Sequence, residues 1–232
     1  MNQIVSRVAK KARVGKVLGL TGDLARLATL YGGTDKGEHG YLPYYEREFG
    51  SRRLRRQTVY EIGVGGYDSL APGGSLAVWR DYFVRATVVG LDISPKDVRL
   101  GPSVKFCQVD QSSADDLRRV VDLHGNPDVV IDDGSHVGVH IWASFDFLWP
   151  LMPPGSLYVI EDLATSYYPE FRGGDPAPED SGVGLLQVLV DSVQDTDPTF
   201  EQYPDRGHRS AAAYASVSAV RVYPGVAFIE KA

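Results

Sequence analysis

Thr58-Val59-Tyr60-Glu61-Ile62-Gly63-Val64-Gly65-Gly66 is the stretch that decides the fold. Its first residues are β-branched or aromatic around one acid, which reads as a short strand. The glycines that follow end that strand in a tight turn where backbone can approach a ligand. The same pattern returns downstream. Ser75 to Phe83 reads as a helix, and ATVVGLDI over 86–93 as a buried strand that reaches Asp92. Val104 to Val109 is the next strand, followed by Asp110-Gln111 and a helix over Ala114 to Leu123. A strand over Asp128 to Ile131 closes on Asp132-Asp133, and Val139 to Leu148 is helical. Ser156 to Ile160 closes on Glu161-Asp162, a Pro/Gly/acid-rich loop fills 165–182, and Val183 to Val193 is a helix. Val217 to Val222 and Val226 to Ile229, joined by Tyr223-Pro224-Gly225, form a terminal hairpin. Strands alternating with helices give an α/β fold on a mostly parallel sheet, with one antiparallel hairpin at its end.

Composition narrows the function classes. The 232 residues carry a net charge of −6, so a general nucleic-acid surface is disfavoured. The charge is uneven, because Arg7, Lys10, Lys11, Arg13, Lys16 and Arg26 face only Asp23 within residues 1–26. Ile4, Val5, Val8 and Ala12 recur there at helical spacing, which predicts a solvated helix that packs on the domain or on a second subunit. No apolar run approaches the ~20 residues that span a bilayer, and no signal peptide is read. With a single Cys107 no internal disulfide forms, and a cytoplasmic protein is expected. The 25 glycines suggest tight loops around a ligand.

In open parallel sheets the ligand sits beyond the carboxyl ends of the strands. Here those ends carry Glu61, Asp92, Asp110, Asp133, and Glu161 with Asp162. A nicotinamide site would need G-x-G-x-x-G, but Asp68 stands where the third glycine belongs. The fourth and fifth strands should be neighbours, so Asp133, Glu161 and Asp162 converge as oxygen ligands. Such a set suits Mg²⁺, which would lower the pKa of an acceptor hydroxyl. His136, three residues past Asp133, is placed to take the proton. Two other readings stay open: Asp132 or Asp133 caps the next helix with His136 packed in its first turn, or His136 and His140 hold zinc.

Glu61 before the glycines, Asp92 after strand two and Asp110 after strand three resemble the class I S-adenosylmethionine (SAM)-dependent methyltransferases. That resemblance covers about residues 57–162 and implies their Rossmann-like seven-stranded fold. It implies that Gly63 and Gly65 pass the amino-acid part of the cofactor, that Asp92 binds the ribose hydroxyls, and that Asp110 and Gln111 face the adenine. A longer series sharpens it: Gly33-Thr34-Asp35-Lys36-Gly37, His39-Gly40-Tyr41, Tyr44-Tyr45-Glu46, Glu61 to Tyr67, Gly74-Ser75-Leu76, Asp110-Gln111-Ser112, Asp132 to His136, Glu161-Asp162-Leu163 and Ser166-Tyr167. Over about residues 27–170 this resembles the metal-dependent sugar O-methyltransferases of the mycinamicin and demethylmacrocin type. It is also similar to the mycobacterial 1-O-methyltransferase of methylmannose polysaccharide synthesis.

The family implies Asp133, Glu161 and Asp162 as Mg²⁺ ligands, His136 as base, and Thr34, Lys36, Gly37, Glu61, Gly63, Ser75, Asp92 and Gln111 around SAM. The expected acceptor is a sugar hydroxyl of a glycoside, either a natural-product deoxysugar or a mannoside. Residues 1–56 are expected to form a helical cap that serves substrate or dimer contacts, and 57–232 the methyltransferase domain of a homo-oligomer. The mycinamicin-type enzyme has a large extra N-terminal domain, so acceptor recognition here is expected from the N-terminal segment, the 165–182 loop and a second subunit. The alternatives are a catechol-type metal-dependent O-methyltransferase and a SAM-binding module without chemistry. Against the latter, close carboxylates repel without a cation. Trp79, Trp142 and Trp149 are expected in the core, Tyr167 and Tyr168 near the acceptor, and His208 in a surface turn.

Overall fold

A computed structural model of the protein describes residues 14–17, 20, 22–32, 34–65, 74–194 and 214–232. The basic stretch up to residue 13, Gly33, Gly66, Tyr67, Asp68 and His208 lie outside the described residues. The strands are β1 (Thr58–Ile62), β2 (Thr87–Asp92), β3 (Val104–Gln108), β4 (Val129–Asp132), β5 (Leu157–Ile160), β6 (Val217–Tyr223) and β7 (Val226–Lys231). They run in the order β3-β2-β1-β4-β5-β7-β6. The described helices are α1 (Leu24–Leu30), α2 (Asp35–Glu38), α3 (Leu42–Phe49), α4 (Gly74–Tyr82), α5 (Ala114–His124), α6 (Gly138–Leu148) and α7 (Gly182–Gln194). The expected seven-stranded sheet with its C-terminal hairpin is present. The loop expected over 165–182 is partly ordered into 3₁₀ turns, Leu163–Tyr167 and Pro169–Phe171.

The chain divides into two compact units, Met1–Val109 and Asp110–Ala232. In the first, β1 and β2 pair in parallel from Thr58↔Thr87 to Ile62↔Leu91, and β2 pairs β3. Both faces of β1 and β2 are covered, so their apolar runs are continuous rather than alternating. An aromatic cluster cements α3 to α4: Tyr45 lies 5.0 Å from Trp79 and Phe49 5.2 Å from Phe83, centroid to centroid. In the second unit β4 and β5 are parallel, while β7 runs antiparallel to both β5 and β6. Phe145 stacks on Trp149 at 5.0 Å and meets Tyr158 edge-on at 4.9 Å. All three tryptophans are buried, as expected of core residues. Ser113 caps α5 by accepting from the Asp116 N–H at 3.3 Å.

Gly90 shows how tightly the helix layer sits. A Cβ there would fall 2.7 Å from Leu76 Cδ1 on α4 and 2.9 Å from Val64 Cγ2, just after β1. Backbone and helix approach because the side chain is missing. Gly90→Ala should therefore overpack this layer and destabilise the fold by about 1–3 kcal/mol. Urea unfolding should read this as a lower midpoint with an unchanged slope.

Candidate active site

Two strand ends carry adjacent acids, and the members of each pair have different surroundings. Successive side chains of an extended chain point to opposite sides. Asp132 and Glu161 are each 2% exposed, whereas Asp133 and Asp162, which follow them, are half-buried. Ligand atoms of Asp133, His136 and Asp162 all lie within 4.8 Å of one another. His136 Nε2 stands 3.6 Å from Asp162 Oδ2. Glu161, expected among the ligands, lies outside this group, and His136, expected only as a base, lies inside it.

The backbone at this site is unusual. His136 (φ 58°) and Asp162 (φ 52°) are two of the three non-glycine residues with left-handed backbone among those described. Such conformations are costly and gather at functional sites, where surrounding structure enforces them. Thr165 Oγ1 donates to the Asp162 carbonyl at 2.6 Å and lies 3.4 Å from the His136 carbonyl, and the Phe171 ring meets the imidazole edge-on at 5.9 Å. The N-cap of α6 is Val137, with no side-chain capping bond, so neither Asp132 nor Asp133 caps that helix. His140 is outside the ligand group; its Nδ1 lies 2.9 Å from Ser135 Oγ. A two-histidine zinc site has no support in this arrangement.

Asp132 anchors the region. Its Oδ1 accepts from Gln111 Nε2 at 3.1 Å, and its Oδ2 from Ser144 Oγ at 2.8 Å and the Tyr158 hydroxyl at 2.9 Å. Burial pushes its carboxyl above the usual range, opposed by these three hydrogen bonds. The neighbouring Tyr158 hydroxyl is pushed well above its ordinary value, again mainly by burial. Gln111, expected to face the adenine, is itself buried, and its Oε1 accepts from the Ser135 N–H at 2.8 Å. Ser135, Ser144 and Tyr158 are the supporting residues that reading the sequence did not find. Asp110 is held below the usual carboxylate range by the hydroxyl and N–H of Ser112.

In the first unit the remaining candidates form a second cluster. Glu61 is fully buried and accepts from Ser75 Oγ at 2.9 Å and Trp79 Nε1 at 3.0 Å, with Lys36 Nζ 3.5 Å away. Lys36 is only 1% exposed, so this is an ion pair inside protein, tying α2 and α4 to β1. Gly63 and Gly65 have φ of 84° and 79°, which a residue with a Cβ adopts only with strain. Asp92 Oδ2 accepts from the Val64 N–H at 2.9 Å with Lys96 Nζ 3.7 Å away, and Oδ1 accepts from the Ser94 N–H at 2.8 Å; a carboxylate can accept more bonds than these. Gly37 lies in α2 three residues after an N-cap, Thr34, whose buried hydroxyl has no hydrogen-bond partner among the described residues.

No protein-family model matches the chain. It is 42% identical over 210 residues to the 8-demethyl-8-alpha-L-rhamnosyl tetracenomycin-C 2'-O-methyltransferase of Streptomyces olivaceus, covering 90% of this chain and 54% of that one. It is 39% identical over 214 residues to the mycinamicin VI 2''-O-methyltransferase of Micromonospora griseorubida, covering 90% and 52%. Among solved structures, the MycE methyltransferase in complex with Mg, SAH and mycinamycin VI matches with a TM-score of 0.78 at 36% identity, over 90% of this chain and 54% of that one. Over that span the chain is similar to sugar O-methyltransferases. It spans about half the length of the curated relatives it matches. The fold is the Rossmann-like class I methyltransferase fold, a seven-stranded sheet closed by an antiparallel hairpin. No helix among the described residues is long and apolar enough to cross a membrane.

Glu61→Ala should be severe because it removes the acceptor shared by Lys36, Ser75 and Trp79. Breaking a buried ion pair from one side costs on the order of 3–5 kcal/mol. At ~2–4 °C per kcal/mol for a chain of this size, the melting temperature should fall by about 6–20 °C in a calorimetric scan.

Proposed function

We propose that the chain is a SAM-dependent, divalent-metal-assisted O-methyltransferase that acts on a sugar hydroxyl of a glycoside. The observation that carries this reading is the gathering of Asp133, His136 and Asp162 at the ends of β4 and β5. Two carboxylates beside an imidazole fit Mg²⁺ or Mn²⁺, which take oxygen ligands and keep open positions for substrate. The fit to SAM rests on different atoms: the Thr34 hydroxyl, unpartnered among the described residues, the left-handed Gly63 and Gly65, and the half-buried Asp92 carboxylate, which can accept further bonds beside its two N–H donors and Lys96. The solved relative bound to Mg, SAH and mycinamycin VI supports both.

Asp133 and Asp162 hold the cation, with Glu161 the buried acid behind Asp162. When bound, the cation draws charge from the acceptor oxygen and SAM supplies an electrophilic methyl group. The sugar oxygen takes that methyl, its proton passes to His136 Nε2, and S-adenosylhomocysteine leaves. The Asp92 carboxylate accepts from the ribose cis-diol, and the backbone at Gly63 and Gly65 passes the amino-acid moiety. Asp110, at the end of the third strand, faces the adenine. Tyr167 is exposed and lines an apolar cavity of about 590 Å³ with Leu163, Val183, Leu186, Val190 and Tyr223.

Stripping divalent cations with EDTA should abolish methyl transfer to glycosides, and Mn²⁺ should restore it. A positioned base contributes about 10²–10⁴-fold, so His136→Ala should lose that much rate and keep its Mn²⁺ affinity. A fall in Mn²⁺ affinity with the rate loss would instead make His136 a third ligand. Asp92→Ala should weaken SAM binding by on the order of 1.5–3 kcal/mol, or one to two decades, in calorimetric titration.

A further inference from the structure

Between Asp133 and Val137 the backbone belongs to no helix or strand, yet Asp133 and His136 project from it. What fixes this loop is a side chain distant in sequence. Gln111 Oε1 accepts from the Ser135 N–H at 2.8 Å, and Gln111 Nε2 donates to Asp132 Oδ1 at 3.1 Å. The orientation of the amide follows from the Ser135 N–H, which only donates, so Oε1 faces it and Nε2 faces Asp132. Ser144 and Tyr158 hold the other oxygen of Asp132, so the foot of this strut is anchored in the core. Ser135 then passes the constraint on: its Oγ accepts from the Val137 N–H at 3.3 Å and meets His140 Nδ1 at 2.9 Å.

We propose that Gln111 is a positioning residue, a strut from the Asp132 carboxylate to the Ser135 backbone that sets Asp133 and His136 in place. This role differs from the adenine contact that the family resemblance implies for it. It rests on the reading of Asp133 and His136 as cation ligand and base. An amide of this length carries a donor and an acceptor at the required spacing. Methionine would match its shape without either group, and asparagine is one methylene short of spanning both partners.

The test compares full-length wild type, Gln111→Met, Gln111→Asn and Ser144→Ala. Three quantities are read: exchange of the Ser135 amide by NMR, Mn²⁺ affinity, and SAM affinity. Gln111→Met should expose the Ser135 amide to exchange and weaken Mn²⁺ binding about 10–100-fold, the range for residues that orient metal ligands. Its SAM affinity should stay unchanged. Gln111→Asn should behave alike and serves if the methionine variant does not fold. Ser144→Ala removes another donor to Asp132 and a hydroxyl 3.5 Å from Gln111 Nε2 but keeps the bond to Ser135, and it should weaken Mn²⁺ binding less than either Gln111 variant. Loss of SAM affinity with Mn²⁺ binding preserved would overturn the proposal in favour of an adenine contact. An equal Mn²⁺ loss in Ser144→Ala, or unchanged Ser135 exchange in both Gln111 variants, would also overturn it. If wild type binds no Mn²⁺, the metal reading fails, while Ser135 exchange still decides the strut.

Discussion

A carboxylate buried at the end of β4 is the constraint on which the second half of the molecule depends. Asp132 has no water to solvate it, so the fold must bring donors to it, and it brings three: Gln111, Ser144 and Tyr158. An unsatisfied buried charge costs several kcal/mol, more than any one of those bonds contributes. The segment after β3, helix α6 and strand β5 are therefore committed to positions that aim polar atoms at one point. Asp133 follows directly and inherits a rigid base. Glu61 plays the same part in the first half, where the ammonium of Lys36, the indole of Trp79 and the hydroxyl of Ser75 surround it.

From that constraint follows a division of labour within each acidic doublet. The first member, Asp132 or Glu161, is turned into protein, and the second, Asp133 or Asp162, is left at the rim with His136. The rim acids can then serve a ligand because their neighbours already satisfy the demands of the sheet. The left-handed backbone at His136 and Asp162 belongs to the same arrangement. Its strain, of order 1–3 kcal/mol each, persists only where surrounding contacts enforce it. Thr165 on the Asp162 carbonyl and Gln111 on the Ser135 N–H are two such contacts.

The sheet was legible in the sequence because its signals are local: short apolar runs, strand-end acids and glycine turns, each read without knowing the partner. Every strand of the sheet lies within a residue or two of its expected span. The identities of the rim residues were legible for the same reason. The partners of those residues were not. Gln111 and Asp132 are 21 positions apart, and nothing local says that a glutamine at a strand end turns inward to an acid. Glu61 reads from sequence as a cofactor residue and lies in the structure at the centre of a buried ion pair. Its neighbour in that pair, Lys36, comes from a short helix whose place beside β1 is decided by tertiary packing alone. The 3₁₀ turns over 163–171 were likewise hidden, since a Pro- and Gly-rich stretch looks like open loop.

The central claim is that the half-buried acids closing β4 and β5 hold a divalent cation for a sugar hydroxyl. Anomalous diffraction from crystals grown with Mn²⁺ and S-adenosylhomocysteine tests it most directly. The account predicts one strong anomalous peak at about 2.0–2.6 Å from carboxylate oxygens of both Asp133 and Asp162, the range for hard cations on oxygen ligands. A crystal saturated with Mn²⁺ that shows no peak there, or one placed only elsewhere on the chain, would contradict it.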